Sequence, residues 1–299
     1  GRNEAYSAWH VVEDLPWRAV GRIGAILSPL LGPRTDRPLG MLTYHRITST
    51  VPGLPLPEHN VTPERFREQL EGLLLRGFNF WPLRKVIEHC ELRQQIPPRT
   101  VVITFDDGYE NFYTNALPVL QDLGLPATVF VATAFLDAAD PFPFDEWGMQ
   151  YADRAPPATF RPLRSEQCLE MHAAGLVEIA AHTHSHQDFH GRPGDFLNDM
   201  RSCIGTLNEM LGVRELTFSF PFGRLEAGDA GEEMVEVAKS TGVKCGLTTE
   251  SECIDPASDP FTWGRFTAFP FDTAATLAAK LDGWYSWAPR FLRRFSSRK

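Results

Sequence analysis

The chain has no long apolar run. Nothing in its 299 residues approaches the ~20 consecutive apolar residues of a membrane span. The apolar piece 23–31 is short and interrupted by Pro29. Cysteine is scarce. Cys90, Cys168, Cys203, Cys245 and Cys253 are odd in number, scattered and without a C-x-x-C pair, which excludes a disulfide framework or a zinc knuckle. Buried free thiols in a reducing compartment are the expectation. Positive charge is also short, 29 Lys and Arg against 38 Asp and Glu, a net charge of −9. A nucleic-acid backbone wants a basic stripe and is excluded as the main partner. No solenoid-type repeat is visible, and no histidine follows His190.

Two carboxylates stand where an apolar strand runs out, in Val101-Val102-Ile103-Thr104-Phe105-Asp106-Asp107-Gly108-Tyr109. Asp-Asp-Gly alone reads as a turn. Two like charges at a buried strand end, however, repel unless a cation or proton neutralises one. Far downstream Val177-Glu178-Ile179-Ala180-Ala181 runs out into His182-Thr183-His184-Ser185-His186. In one parallel sheet the two strand ends share a rim. One Asp and two His then form a three-ligand set for a divalent metal with a position open for water. The second Asp is left over as a general base.

One punctuation recurs: a helix-like run, a glycine, then an apolar strand-like run. It appears at Gly77, Gly124, Gly175, Gly212 and Gly242, before strand candidates at 78–81, 127–131, 177–181, 216–220 and 243–247. Glycine there supplies the left-handed residue that closes a helix. Repeated so often, this is the alternation of a parallel α/β sheet. Helix candidates are amphipathic: Thr62 caps a run with Pro63 at its first position and Phe66, Leu70, Leu73 and Leu74 on one stripe. The irregular stretch 137–162, rich in Pro and aromatics, follows the strand after the acid pair. It would rise from the same rim, either shaping a substrate groove or simply packing there.

Thr-Phe-Asp-Asp-Gly-Tyr followed by His-Thr-x-x-His resembles the first two motifs of the polysaccharide deacetylases, the NodB-homology group of carbohydrate esterase family 4. The resemblance covers roughly 38–284 and implies a distorted, incomplete (β/α) barrel. It also implies that Asp106 is the base and that Asp107, His182 and His186 bind the metal. Oxygen and nitrogen ligands together suit Zn, with Co, Ni and Fe as alternatives. His184 is expected to hydrogen-bond locally. His10, His59, His89 and His172 receive no role.

Two later motifs depart from the family pattern. Its R-x-P-Y reads here Phe218-Ser219-Phe220-Pro221-Phe222-Gly223, without the Arg and with Phe for Tyr. A backbone N–H at Phe222 survives that change as an oxyanion donor. Arg265, in Trp263-Gly264-Arg265-Phe266, is the candidate to replace the lost Arg, the alternative being an ordinary surface Arg. The family's C-terminal L-x-H, which supplies the general acid, is absent. An apolar strand ending in Tyr44-His45 near the start resembles instead the circularly permuted branch that contains the poly-N-acetylglucosamine deacetylases. First and last strands of a barrel are neighbours, so the resemblance makes His45 the acid.

The resemblance therefore implies a metal-dependent hydrolase that releases acetate from an acetylated glycan, at N-acetyl or O-acetyl groups. An amidohydrolase acting on a small non-sugar amide and a metal-free glycan-binding protein are the alternatives. The expected organisation is an N-terminal extension 1–37, a deacetylase domain 38–284 and a tail 285–299. That tail carries five positive charges among aromatic residues and no acidic residue. It suits peripheral contact with an anionic membrane surface; the competing expectation is a last helix closing the barrel. No signal peptide is visible, so the expectation leans to a cytoplasmic or membrane-peripheral location.

Overall fold

The computed structural model describes residues 18–284. The expected tail 285–299 and His10 lie outside them. Five parallel strands run in the order β5-β4-β3-β1-β6: β1 (Leu39–Tyr44), β3 (Thr100–Phe105), β4 (Ala127–Val131), β5 (Val177–Ala181) and β6 (Phe266–Thr267). A sixth, β2 (Asn79–Phe80), pairs with the start of β3, while β4 pairs with its end. The register Tyr44↔Phe105 and Thr43↔Thr104 sets β1 and β3 level at their C-terminal ends.

The strand expected at 78–81 is thus only two residues long, and those expected at 216–220 and 243–247 shrink to single parallel bridges, Ala181↔Phe218 and Ser219↔Leu247. Hydrogen bonds from Thr248 N to Trp263 O (2.8 Å) and from Arg265 N to Glu250 O (2.8 Å) carry the curve back towards β6. The result is an incomplete barrel. These late segments carry Pro221, Gly223 and Gly246, which interrupt a ladder.

Strand side chains alternate between two apolar clusters. Leu42, Tyr44, Val101, Ile103, Phe105, Val129 and Ile179 face the outer core beneath the helices. Leu39, Met41, Val102, Phe130, Ala180 and Leu247 face the interior with Trp263. Burial on both faces is why β1, β3 and β4 read as mostly apolar runs, with only Gly and Thr among the rest. The same two-residue period, continued past the strand ends, aims His45, Asp106, His182 and Ser219 to the inside of the C-terminal rim.

The outer layer includes α2 (Pro63–Leu75), α4 (Leu117–Leu123), α6 (Ser165–Ala174), α7 (Pro193–Leu211), α8 (Glu232–Ser240) and α9 (Ala274–Leu281), while α3 (Leu83–Glu91) sets Leu83, Val86 and Ile87 against the inner cluster. Thr62 accepts from Arg65 N at the start of α2, as its sequence predicts. Gly124, Gly175 and Gly212 close α4, α6 and α7 in the left-handed conformation. A first helix, α1, spans 18–31 and packs on the domain beside α9. Among the described residues no helix is long and apolar enough to cross a membrane. All five cysteines are free.

Candidate metal centre and active site

The acid pair splits at the end of β3. Asp106 follows the inward period; Asp107 turns through a left-handed conformation (φ 78°) and Gly108 continues it (φ 92°). A Cβ at Gly108 would stand 3.0 Å from Val131 Cγ1, so this turn requires glycine. The loop after β5 is bent likewise, with Thr183 at φ 65° and His186 at φ 51°. Non-glycine residues in this region cost on the order of 1 kcal/mol each and persist where the surroundings hold them. Here Asp199 of α7 does so, accepting from His184 N (2.7 Å), Ser185 N (3.0 Å) and Ser185 Oγ (2.6 Å).

The loop brings two imidazoles onto one carboxylate oxygen. His182 Nε2 lies 3.3 Å and His186 Nε2 3.2 Å from Asp107 Oδ1. Ligand atoms of these three residues fall within 4.8 Å of one another. His182 Nδ1 donates to Ser219 O at 2.8 Å, which leaves the Nε2 lone pair of a neutral ring facing the carboxylate. Two acceptors so close repel unless a proton or cation lies between them. Burial opposes the charge of Asp107, yet the two imidazoles and the field of His45 hold its carboxyl well below the usual range. Burial works against a charged His182 too, but Asp106 and Asp107 raise its pKa above the ordinary imidazole value. The donor set therefore fits a divalent cation.

Asp106 is neutralised differently. Arg265 forks onto it, with the two terminal guanidinium nitrogens 2.7 and 2.8 Å from Oδ1 and Oδ2. The remaining donors reach Thr248 O, Thr104 Oγ1 and Ser219 Oγ at 3.0, 3.1 and 2.8 Å, so all five of this buried arginine are used. Burial alone would raise the Asp106 pKa; Arg265 and then His182 outweigh it and hold the group ionised. Arg265 is 1% exposed, not a surface residue.

His45 follows Tyr44, beside Asp106 in the register, and stacks on His59 with ring centroids 4.8 Å apart. Burial pushes it down to about 4; Asp107 and Asp106 push the other way. Phe222 stands edge-on to His186 at 5.1 Å with its backbone at φ 63°. Its N–H has no protein acceptor among the described residues. His184 is not part of the Asp107–His182–His186 group, and its Nδ1 lies 2.9 Å from Thr133 Oγ1. The structure thus gathers Asp106, Asp107, His182, His186 and Arg265 in one contact network, with His45 and Phe222 at its edge.

The segment 137–162 is better ordered than its sequence suggests. It contains a short helix, α5 (Glu146–Tyr151), and lays Phe144 flat on His186 with centroids 3.7 Å apart and planes at 19°. Buried Arg46 pins it, donating to Asp145 Oδ1 (2.6 Å), Tyr109 Oη (3.0 Å) and Thr159 O (3.1 Å). Asp199, Ser219, Phe144 and Arg46 were not legible as site residues, because each acts through a partner remote in sequence. The one local hint was Arg46 directly after His45.

Comparison with known proteins places this geometry in a family. The polysaccharide deacetylase family model matches residues 93–246, just over half of the chain. The poly-β-1,6-N-acetyl-D-glucosamine N-deacetylase of Staphylococcus epidermidis is 24% identical over 262 residues, covering 81% of this chain and 83% of that protein. Among solved structures, IcaB from Ammonifex degensii superposes with a TM-score of 0.67 at 24% identity, over 83% of this chain and 99% of that one. The Streptococcus pyogenes deacetylase PplD, in complex with acetate, gives 0.65 at 21% identity, over 81% and 97%. By matched family, incomplete barrel and buried Asp-His-His set together, the chain belongs to the polysaccharide deacetylases.

Proposed function

We propose that this enzyme hydrolyses the N-acetyl groups of a β-1,6-linked N-acetylglucosamine polymer or a close relative, releasing acetate and leaving a free amine. The observation that carries the proposal is the buried Asp107–His182–His186 set beside an Arg-clamped Asp106. The substrate class follows the similarity to enzymes named for that polymer. The metal is proposed to be Zn, with Co, Ni or Fe able to take its place, since one carboxylate and two imidazoles suit all four.

Asp107, His182 and His186 would hold the ion, which when bound supplies Lewis acidity towards the acetyl carbonyl and lowers the pKa of water. Asp106, ionised and fixed by Arg265, takes the proton of the attacking water. The Phe222 N–H donates to the oxygen that gains charge as the carbonyl becomes tetrahedral. Burial favours the neutral ring of His45. As the acid it would hand to the leaving sugar amine the proton that Asp106 has taken from the water, so the C–N bond breaks with its proton accounted for. The aromatic surface of Phe144 and Phe222 flanks His186, where a sugar ring would lie. The composition of 285–299 supports a further proposal, peripheral contact of that segment with an anionic surface.

The test is acetate release from N-acetylglucosamine oligomers, acetylxylan and peptidoglycan, with and without added Zn. Release from the first alone, and only with metal, supports the reading. Release from acetylxylan alone would move the activity to O-acetyl esters.

A further inference from the structure

Helix α1 is held to the domain by its small residues and turns its large ones outward. A Cβ added at Gly24 would stand 3.2 Å from both Ala279 Cβ of α9 and Trp284 Cβ, so the helix seats close only on glycine. Ser28 Oγ donates to Asp282 Oδ2 at 3.1 Å, and Trp284 Nε1 donates to Gly32 O at 3.1 Å, fixing the far end. On the other side Ile23, Ile26, Leu30 and Leu31 are 45%, 67%, 76% and 58% exposed. Arg22, Ile26 and Leu30 are spaced i, i+4, i+8, one stripe of the helix. Packing among the described residues does not explain these large aliphatic side chains, and exposed apolar residues grouped on one helix face mark an interaction surface.

The surrounding charge names the partner. The chain is acidic overall, yet 18–37 holds four arginines against Asp36; Arg37 is turned to the domain, donating to Cys253 O at 2.8 Å beside Glu252, which leaves Arg18, Arg22 and Arg34. Arg34 lies over the Trp284 ring at 4.9 Å, and the sequence that follows this tryptophan, 285–299, holds five positive and no negative side chains. An apolar stripe bordered by arginines is the chemistry of a helix lying in a lipid interface, its aliphatics in the acyl boundary and its cations at anionic headgroups. We propose that the outer face of α1 docks the enzyme on an anionic membrane surface. This docking is independent of the glycan chemistry, because no α1 residue enters the site.

The experiment is co-sedimentation of the full chain at low salt with phosphatidylcholine vesicles, with and without phosphatidylglycerol. Wild type is compared with Ile26→Asp/Leu30→Asp and with a chain ending at Pro289. Both substituted side chains are exposed, so unchanged thermal melting shows that the fold is retained. The proposal expects wild type to pellet with the anionic vesicles and the double variant to lose roughly tenfold or more in partitioning. Wild type remaining in the supernatant overturns it, as does a double variant that pellets like wild type. Loss confined to the shortened chain places the contact in the tail and also overturns it. So does a wild-type dimer that the double variant dissolves, which makes the face a self-interface.

Discussion

Each site side chain is held by a partner that separates its role from its neighbour's. His182→Ala should abolish metal retention after dialysis, whereas His184→Ala, whose ring serves Thr133, should keep most of it; metal analysis of the two distinguishes them. Asp106→Asn should retain metal and lose turnover by ~10²–10⁴-fold, the usual worth of a positioned base. His45→Ala should depress kcat with metal content unchanged, read in single-turnover acetate release. Arg265→Met leaves Asp106 buried without its counter-charge, so its pKa rises. A base with a raised pKa is protonated earlier as pH falls. The acidic limb of the rate profile should therefore move to higher pH, and a limb that stays in place would release Arg265 from its positioning role.

Between elements, the long β4–α6 connection is secured by several contacts, of which the Arg46–Asp145 pair is the most deeply buried ion pair. Asp145 accepts from Arg46 and from Gly148 N at 2.9 Å, so one carboxylate both pins the segment and caps α5. Breaking a buried ion pair on one side costs about 3–5 kcal/mol. Asp145→Ala should accordingly lower the melting temperature and open 137–162 to limited proteolysis before the rest of the chain. Protection unchanged from wild type would show that Tyr109 and Thr159 suffice. This segment also marks where sequence reading stops. Strands β1, β3, β4 and β5 were legible because burial on both faces leaves an apolar run, and the helix ends because glycine must close them. The acid pair and the histidine cluster were legible because charge at such a strand end has few other uses. The loop fold was not, since its anchors are single contacts between positions about 50 to 110 residues apart, such as Arg46 with Asp145 and Arg161 with Glu110. The shortening of the strands at 216–220 and 243–247 was marked only by Gly246 and by the Pro221-Phe222-Gly223 that follows the first, a weak signal because β1 keeps its pairing through Gly40.

For the whole molecule, the packed inner faces of α6 and α7 and the buried late barrel segments leave four of the five thiols inert. Burial pushes Cys168, Cys203 and Cys245 up to about 12 and Cys253 to about 11. A thiol reagent at neutral pH should modify at most Cys90 in the native protein and all five on unfolding; fast reaction of two or more would mean that the barrel opens readily. One buried Asp-His-His set makes this barrel a deacetylase. Its most direct test is acetate released from β-1,6-linked N-acetylglucosamine oligomers by metal-free protein titrated with Zn, alongside His182→Ala treated identically. Release should rise with occupancy and saturate at one ion per chain, with none above background in the variant. Equal release by stripped and loaded protein, or by His182→Ala, would contradict it.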